Sequence, residues 1–286
     1  MRLSNRDNCR RVISIRIYST GRLVMDASNS PNKSGWVLAV ATPIAIIGTL
    51  AINTLSNFYP PGGQNVGEIA NTTLSGVLIT PANYAFAIWG VIYLGLIAYG
   101  VYQIKPARQG DPIIRPVDWL LIIACVAQII WIFLFTLQYF TWSILAMLGI
   151  LLPLMGAYGV LRMDRVDRKR RWFAVYPFST YLAWISVATI INVASALYDA
   201  GWQGGGLSGE LWTVIMILVS AVIGLIVIFT QQDIPFMLVY VWAYIAIAAR
   251  HTDTPAISSM AYLATFILVA TLILVRLRLP RRLKTD

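Results

Sequence analysis

The sequence predicts an all-α, polytopic transmembrane bundle of about eight helices, and three observations carry that expectation. Of 286 residues, 58% are hydrophobic and only 12% charged, roughly half the charged share of an ordinary soluble domain, and the mean hydropathy is +0.70. The apolar residues gather into runs close to the roughly 20 residues a spanning helix needs. Lys and Arg are confined to the segments between those runs, a pattern that orients membrane helices. The runs are continuously apolar rather than alternating, which argues against barrel strands.

The runs fall at 36–56, 81–104, 118–138, 141–161, 173–198, 211–230, 234–250 and 257–276. Ahead of them, residues 1–35 form a basic leader. Its first 24 residues, Arg-rich and acid-poor, read as a disordered leader or an over-long gene start, with an organelle transit peptide as the alternative. The third and fourth runs nearly fuse, and Gln138 to Thr141 is the one break available. A single helix of that length would overshoot the bilayer, so a tight hairpin is expected. The seventh run begins at Pro235 and is the shortest. Residues 201–210 read as a flexible, Gly-rich outer loop. It divides a five-helix core, 36–200, from a three-helix extension, 211–276, which a basic tail, 277–286, follows.

Charge tests the helix count. With the N-terminus inside, eight crossings place every Lys and Arg except Arg250 on one side; seven would strand the last loop and tail opposite. Both termini are therefore expected to be cytoplasmic, in a bacterial inner membrane or an organelle membrane. This placement accounts for the net charge of +10, and no nucleic-acid partner is expected. Cys9 and Cys125 suggest neither a disulfide framework nor a metal cluster, and Cys125 reads as a small packing residue.

No Lys, Arg, Asp or Glu falls in the central part of any run, which disfavours ion-coupled pumps and Schiff-base pigments. The sequence has no phosphate-binding loop, nucleophile elbow or paired carboxylates, so neither catalytic nor metal-binding residues are expected. The lone histidine, His251, beside Arg250, reads as part of a solvated interfacial pair. The expected partners are membrane lipid and a hydrophobic small molecule, with a homodimer left open.

What remains inside the runs is neutral and aromatic. Asn53, Asn57, Gln103, Ser186 and Thr189 suit hydrogen bonding between helices. Trp36, Trp119, Trp142, Trp172, Trp202 and Trp212 sit near helix ends, as interfacial anchors do. Trp89, Trp131 and Trp184 instead lie well inside their runs, where an indole N–H needs a partner. On the second helix Asn83, Phe86, Trp89 and Tyr93 share one face; on the third Gln128 and Trp131 are neighbours; on the fifth Tyr181, Trp184, Ala188 and Asn192 form a stripe. Three such stripes facing one another would enclose a flat, apolar cavity suited to a planar hydrophobic ligand. Packing alone is the competing reading.

These residues also resemble a known family. The segment Thr80-Pro81-Ala82-Asn83-Tyr84-Ala85-Phe86-Ala87-Ile88-Trp89, continuing to Tyr93, resembles the second helix of the tryptophan-rich sensory protein/translocator (TspO/MBR) family. Gln128-Ile129-Ile130-Trp131 resembles its third helix, and Tyr181-Leu182-Ala183-Trp184 through Asn192 its fifth. The resemblance implies a five-helix fold over 36–200 that binds porphyrins and related hydrophobic ligands, with porphyrin or haem as ligand rather than required cofactor. It implies a pocket lined by Trp89, Tyr93, Gln128, Trp131, Trp184, Ala188 and Asn192, under a lid running from Phe58 to Thr80. Three positions depart from the pattern: Val77-Leu78-Ile79 replaces a lid tryptophan, Thr180 a proline, and Asp199 the basic residue of a sterol-type motif. These departures weaken the resemblance where porphyrin breakdown and sterol binding are concerned, and an enzyme acting on a lipid or tetrapyrrole is the least supported reading. The three added helices lie outside the family's five. The function expected is a membrane receptor or carrier; the alternative is a small-metabolite transporter without an ion-coupling carboxylate.

Overall fold

Long apolar runs in lipid must satisfy their backbone groups internally, and helices do so. The computed structural model describes residues 33–163 and 166–278, so the expectations for residues 1–32 and 279–286 lie outside the described residues. Among the described residues every regular element is helical. The chain runs through α1 (Lys33–Phe58), the short α2 (Val66–Asn71), a 3-10 turn (Asn83–Ala87) leading into α3 (Ile88–Gln103), α4 (Ile114–Thr136) and α5 (Phe140–Arg162). It continues through a single turn, α6 (Arg168–Arg170), then α7 (Tyr176–Asp199), α8 (Gly209–Gln231), α9 (Ile234–Arg250) and α10 (Pro255–Arg278).

Seven of these helices, with their lead-in turns, are long and apolar enough to cross a membrane. Their outer faces carry large apolar side chains in the open, among them Leu94 at 71% exposure and Phe266 at 70%, as lipid-facing surfaces do. The eighth, α9, has 17 residues and spans about 26 Å at ~1.5 Å per residue. It packs against α7, α8 and α10, and Phe236, Tyr240, Ala243, Tyr244 and Ile247 are buried along it. Its other side is open at Leu238, 56% exposed, and a helix shorter than the hydrocarbon thickness is accommodated by such packing against longer neighbours.

The hairpin between α4 and α5 turns at Leu137–Tyr139, with Gln138 in the left-handed region at φ 62°, close to where the sequence offered its only break. The five-helix core and the extension meet along α7 and α9. Ser186 of α7 and Tyr240 of α9 share a hydrogen bond of 2.8 Å, while Ser220 of α8 and Tyr244 of α9 share one of 2.7 Å within the extension. In the Gly-rich segment Trp212 donates its indole N–H to Gly204 O at 2.6 Å and packs on Trp202 at 4.8 Å.

The two ends of the bundle differ. At one end Arg108 pairs with Asp111 at 3.2 Å, and Asp167 caps α6 by accepting from the Arg170 N–H at 2.6 Å. There Asp233 is buried and fully engaged. It accepts from Tyr158 at 2.6 Å, Ser179 at 2.7 Å, Arg162 at 3.1 Å and the Phe236 N–H at 3.1 Å, tying α5 and α7 of the core to the start of α9. Arg162, one of the orientation charges, is thus also a structural one. The opposite end carries the α4–α5 turn, the segment between α1 and α3, the Gly-rich segment and the α9–α10 turn.

Candidate functional site

The segment from Tyr59 to Ala82 folds back across the mouth of the core as a lid. α2 forms because Asn65 and Glu68 make a reciprocal capping box, which satisfies two otherwise unpaired N–H donors. Ile69, Leu74, Val77 and Ile79 are buried beneath it. Two glycines let the lid lie close. A Cβ at Gly62 would collide with the Thr136 carbonyl, and one at Gly76 with the ring of Tyr198.

Beneath the lid lies a cavity of about 560 Å³, within the range of small-molecule sites. Its floor is buried and mostly aromatic: Trp131, Phe135, Met147 and Trp184, with Ile185 beside them. Its rim is polar, with Asn57, Asn71, Thr72 and Asn83 exposed around the mouth. Glu68 is the only charged residue among those lining it.

Eight of the ten residues singled out from the sequence line this one cavity: Asn83, Phe86, Trp89, Gln128, Trp131, Trp184, Ala188 and Asn192. Tyr93 and Tyr181 do not. Both are buried behind Trp89, their ring centroids 5.6 and 5.9 Å from it, and they buttress the wall. Helical periodicity put them on the correct faces, but a face about 100° wide serves both a cavity and the packing around it.

The floor is wired together by its polar atoms. Trp131 donates to Asn192 Oδ1 at 2.9 Å and Ser143 donates to the same oxygen at 3.1 Å. Tyr181 donates to Gln128 Oε1 at 3.4 Å. The buried indole of Trp131 therefore has its partner.

Sequence reasoning missed the lid's contribution, Asn65, Val66, Asn71 and Leu74, because α2, at six residues, is too short to show a helical period and the rest of the lid has none. Asn53 and Asn57, one turn apart on α1, also line the cavity; their i, i+4 spacing was the available signal.

The expectation for Arg250 and His251 is overturned. They are not a solvated pair: both face the lid. Arg250 donates to Asn71 Oδ1 at 2.8 Å, Ala70 O at 3.3 Å and Pro81 O at 3.4 Å. His251 is 9% exposed and bonds Leu78 O through Nε2 at 2.6 Å. Burial holds its imidazole below the ordinary histidine value and Arg250 adds to this, while the Leu78 bond opposes it. Lid carbonyls left without lid partners attract the donors at the end of α9.

A helical membrane bundle with an aromatic cavity under a lid defines the class of protein. A family described as TSPO-like protein matches residues 39–274, most of the chain, and the protein belongs to that family. The match takes in α8, α9 and most of α10, so the extension is not an addition outside it. No curated protein and no solved structure matches the chain.

Proposed function

We propose that the protein is a membrane receptor or carrier that takes a hydrophobic, planar ligand of tetrapyrrole-like shape into the cavity beneath its lid. The observation that carries this reading is the 560 Å³ cavity floored by Trp131, Phe135 and Trp184 and walled by Phe86 and Trp89. Aromatic faces offer flat ligands offset stacking and edge contacts. Among the described residues no group of His, Cys, Asp and Glu could hold a metal ion, so the ligand would be held by packing and neutral hydrogen bonds. The basic end of the bundle would face the cytoplasm and the lid the opposite side, following the placement of Lys and Arg. Titration of the purified protein with protoporphyrin should quench tryptophan emission. Trp89→Phe combined with Trp184→Phe should weaken binding at least tenfold; affinity equal to that of the unaltered protein would sink the proposal.

A further inference from the structure

The lid does not close on the core alone; the end of α9 holds it. Arg250 divides its guanidinium among three acceptors of the lid segment: Asn71 Oδ1, Ala70 O and Pro81 O. His251 takes a fourth, Leu78 O. The same helix adds two further ties, the Ala82 N–H donating to Ala246 O at 3.0 Å and the Trp242 indole N–H donating to Ala85 O, in the turn leading into α3, at 3.0 Å. One side chain in this set also reaches the cavity. Because Arg250 occupies Oδ1 of Asn71, the amide of Asn71 is left to donate from Nδ2. It does so to Asn83 Oδ1 at 2.6 Å and, within α2, to Gly67 O at 2.6 Å. Asn71 and Asn83 both line the cavity, one from the lid and one from the turn leading into α3, so their bond bridges its mouth.

We propose that Arg250 is a positioning residue that latches the lid. By holding Oδ1 of Asn71 while Gly67 O holds Nδ2, it fixes the amide that closes the Asn71–Asn83 bridge, and the three-helix extension thereby controls access to the cavity. The inference rests on the reading of the cavity as a ligand site. Its physical basis is that an arginine donates in several directions from one planar group. Removing it leaves two lid carbonyls and one side-chain amide without their donor, all at the edge of the mouth. Local opening of a segment follows the loss of just such contacts. The bundle itself should be indifferent, since Arg250 touches none of α4, α5 or α7 in this set of bonds.

The test has two arms on the full-length protein. Hydrogen exchange of residues 66–80 in Arg250→Ala should accelerate at least tenfold without ligand, with α4 and α5 unchanged. Arg250→Lys, which keeps the charge but loses the fork, should fall between. In the second arm, protoporphyrin is mixed rapidly with each protein and tryptophan quenching is followed. Both association and dissociation should speed up several-fold in Arg250→Ala, and Asn83→Ala should add little to that change. Lid exchange at the unaltered rate would overturn the latch. Faster exchange with unaltered porphyrin rates would overturn its control of access. If the unaltered protein shows no quenching, the reading of the cavity fails and the access claim with it, whereas exchange still reports the latch.

Discussion

Trp131 donates its indole N–H to Oδ1 of Asn192 across 2.9 Å, joining α4 to α7 at the cavity floor, and Ser143 of α5 shares the acceptor. Asn192→Leu should leave that indole unpaired in a buried site, costing about 1–3 kcal/mol. Thermal unfolding in detergent should show the loss. An unchanged midpoint would mean that the floor does not depend on this bond.

The buried Asp233 collects four donors from α5, α7 and its own helix. Asp233→Ala should destabilise by about 3–5 kcal/mol, since Arg162 would keep a half-buried charge without its partner. Paired with Arg162→Gln in a double-mutant cycle, the two losses should be strongly non-additive. Additive losses would show that the pair does not join core and extension.

Ala188 faces the cavity between Trp184 and Asn192 on α7. Ala188→Phe should fill the space and weaken porphyrin binding at least tenfold while leaving the unfolding midpoint unchanged or raised. Unaltered affinity would place the ligand elsewhere.

With Glu68 the only charged residue lining the cavity, an ionised carboxylate on the ligand meets no cation there. Protoporphyrin dimethyl ester should bind several-fold more tightly than the diacid, after correction for uptake by protein-free nanodiscs. Glu68→Gln, which preserves the capping box, should narrow the gap. Tighter binding of the diacid would show that a cation reaches the site on binding.

His251 is held below its ordinary value of 6.5 by burial. Below that value the unfolded chain therefore binds more protons than the closed lid does. The stability this group contributes is present above pH 6.5 and lost as pH falls through the lower folded value. Lid exchange, corrected for its intrinsic pH dependence, should thus rise on acidification from 7 to 5. His251→Gln should flatten the response, and an equal rise in that variant would assign the effect to another group.

Much of the fold was legible because membrane insertion is read locally. Continuous apolar runs and the charges between them give helix positions without any knowledge of what packs on what. Pro235 and the shortness of its run were legible as an anomaly, but the packing that accommodates it, against α7, α8 and α10, was not. The floor of the site was legible through Trp131, Trp184 and Asn192, because polar and aromatic groups at helical spacing stand out against lipid-facing residues. Tyr93 and Tyr181 share those faces yet stand behind the wall, since periodicity gives direction and not depth.

The sequence by itself determined an all-α membrane bundle, the hairpin near Gln138, one basic end and the residues of three aromatic stripes. Only the tertiary structure decided that Arg250 and His251 face the lid, that Asp233 ties the extension to the core and that Asn71 reaches Asn83. The physical reason is range. Hydropathy and charge act within one segment and its nearest membrane surface, whereas the bond from Arg250 to Asn71 joins residues 179 positions apart and exists only once α9 has packed against the rest of the bundle.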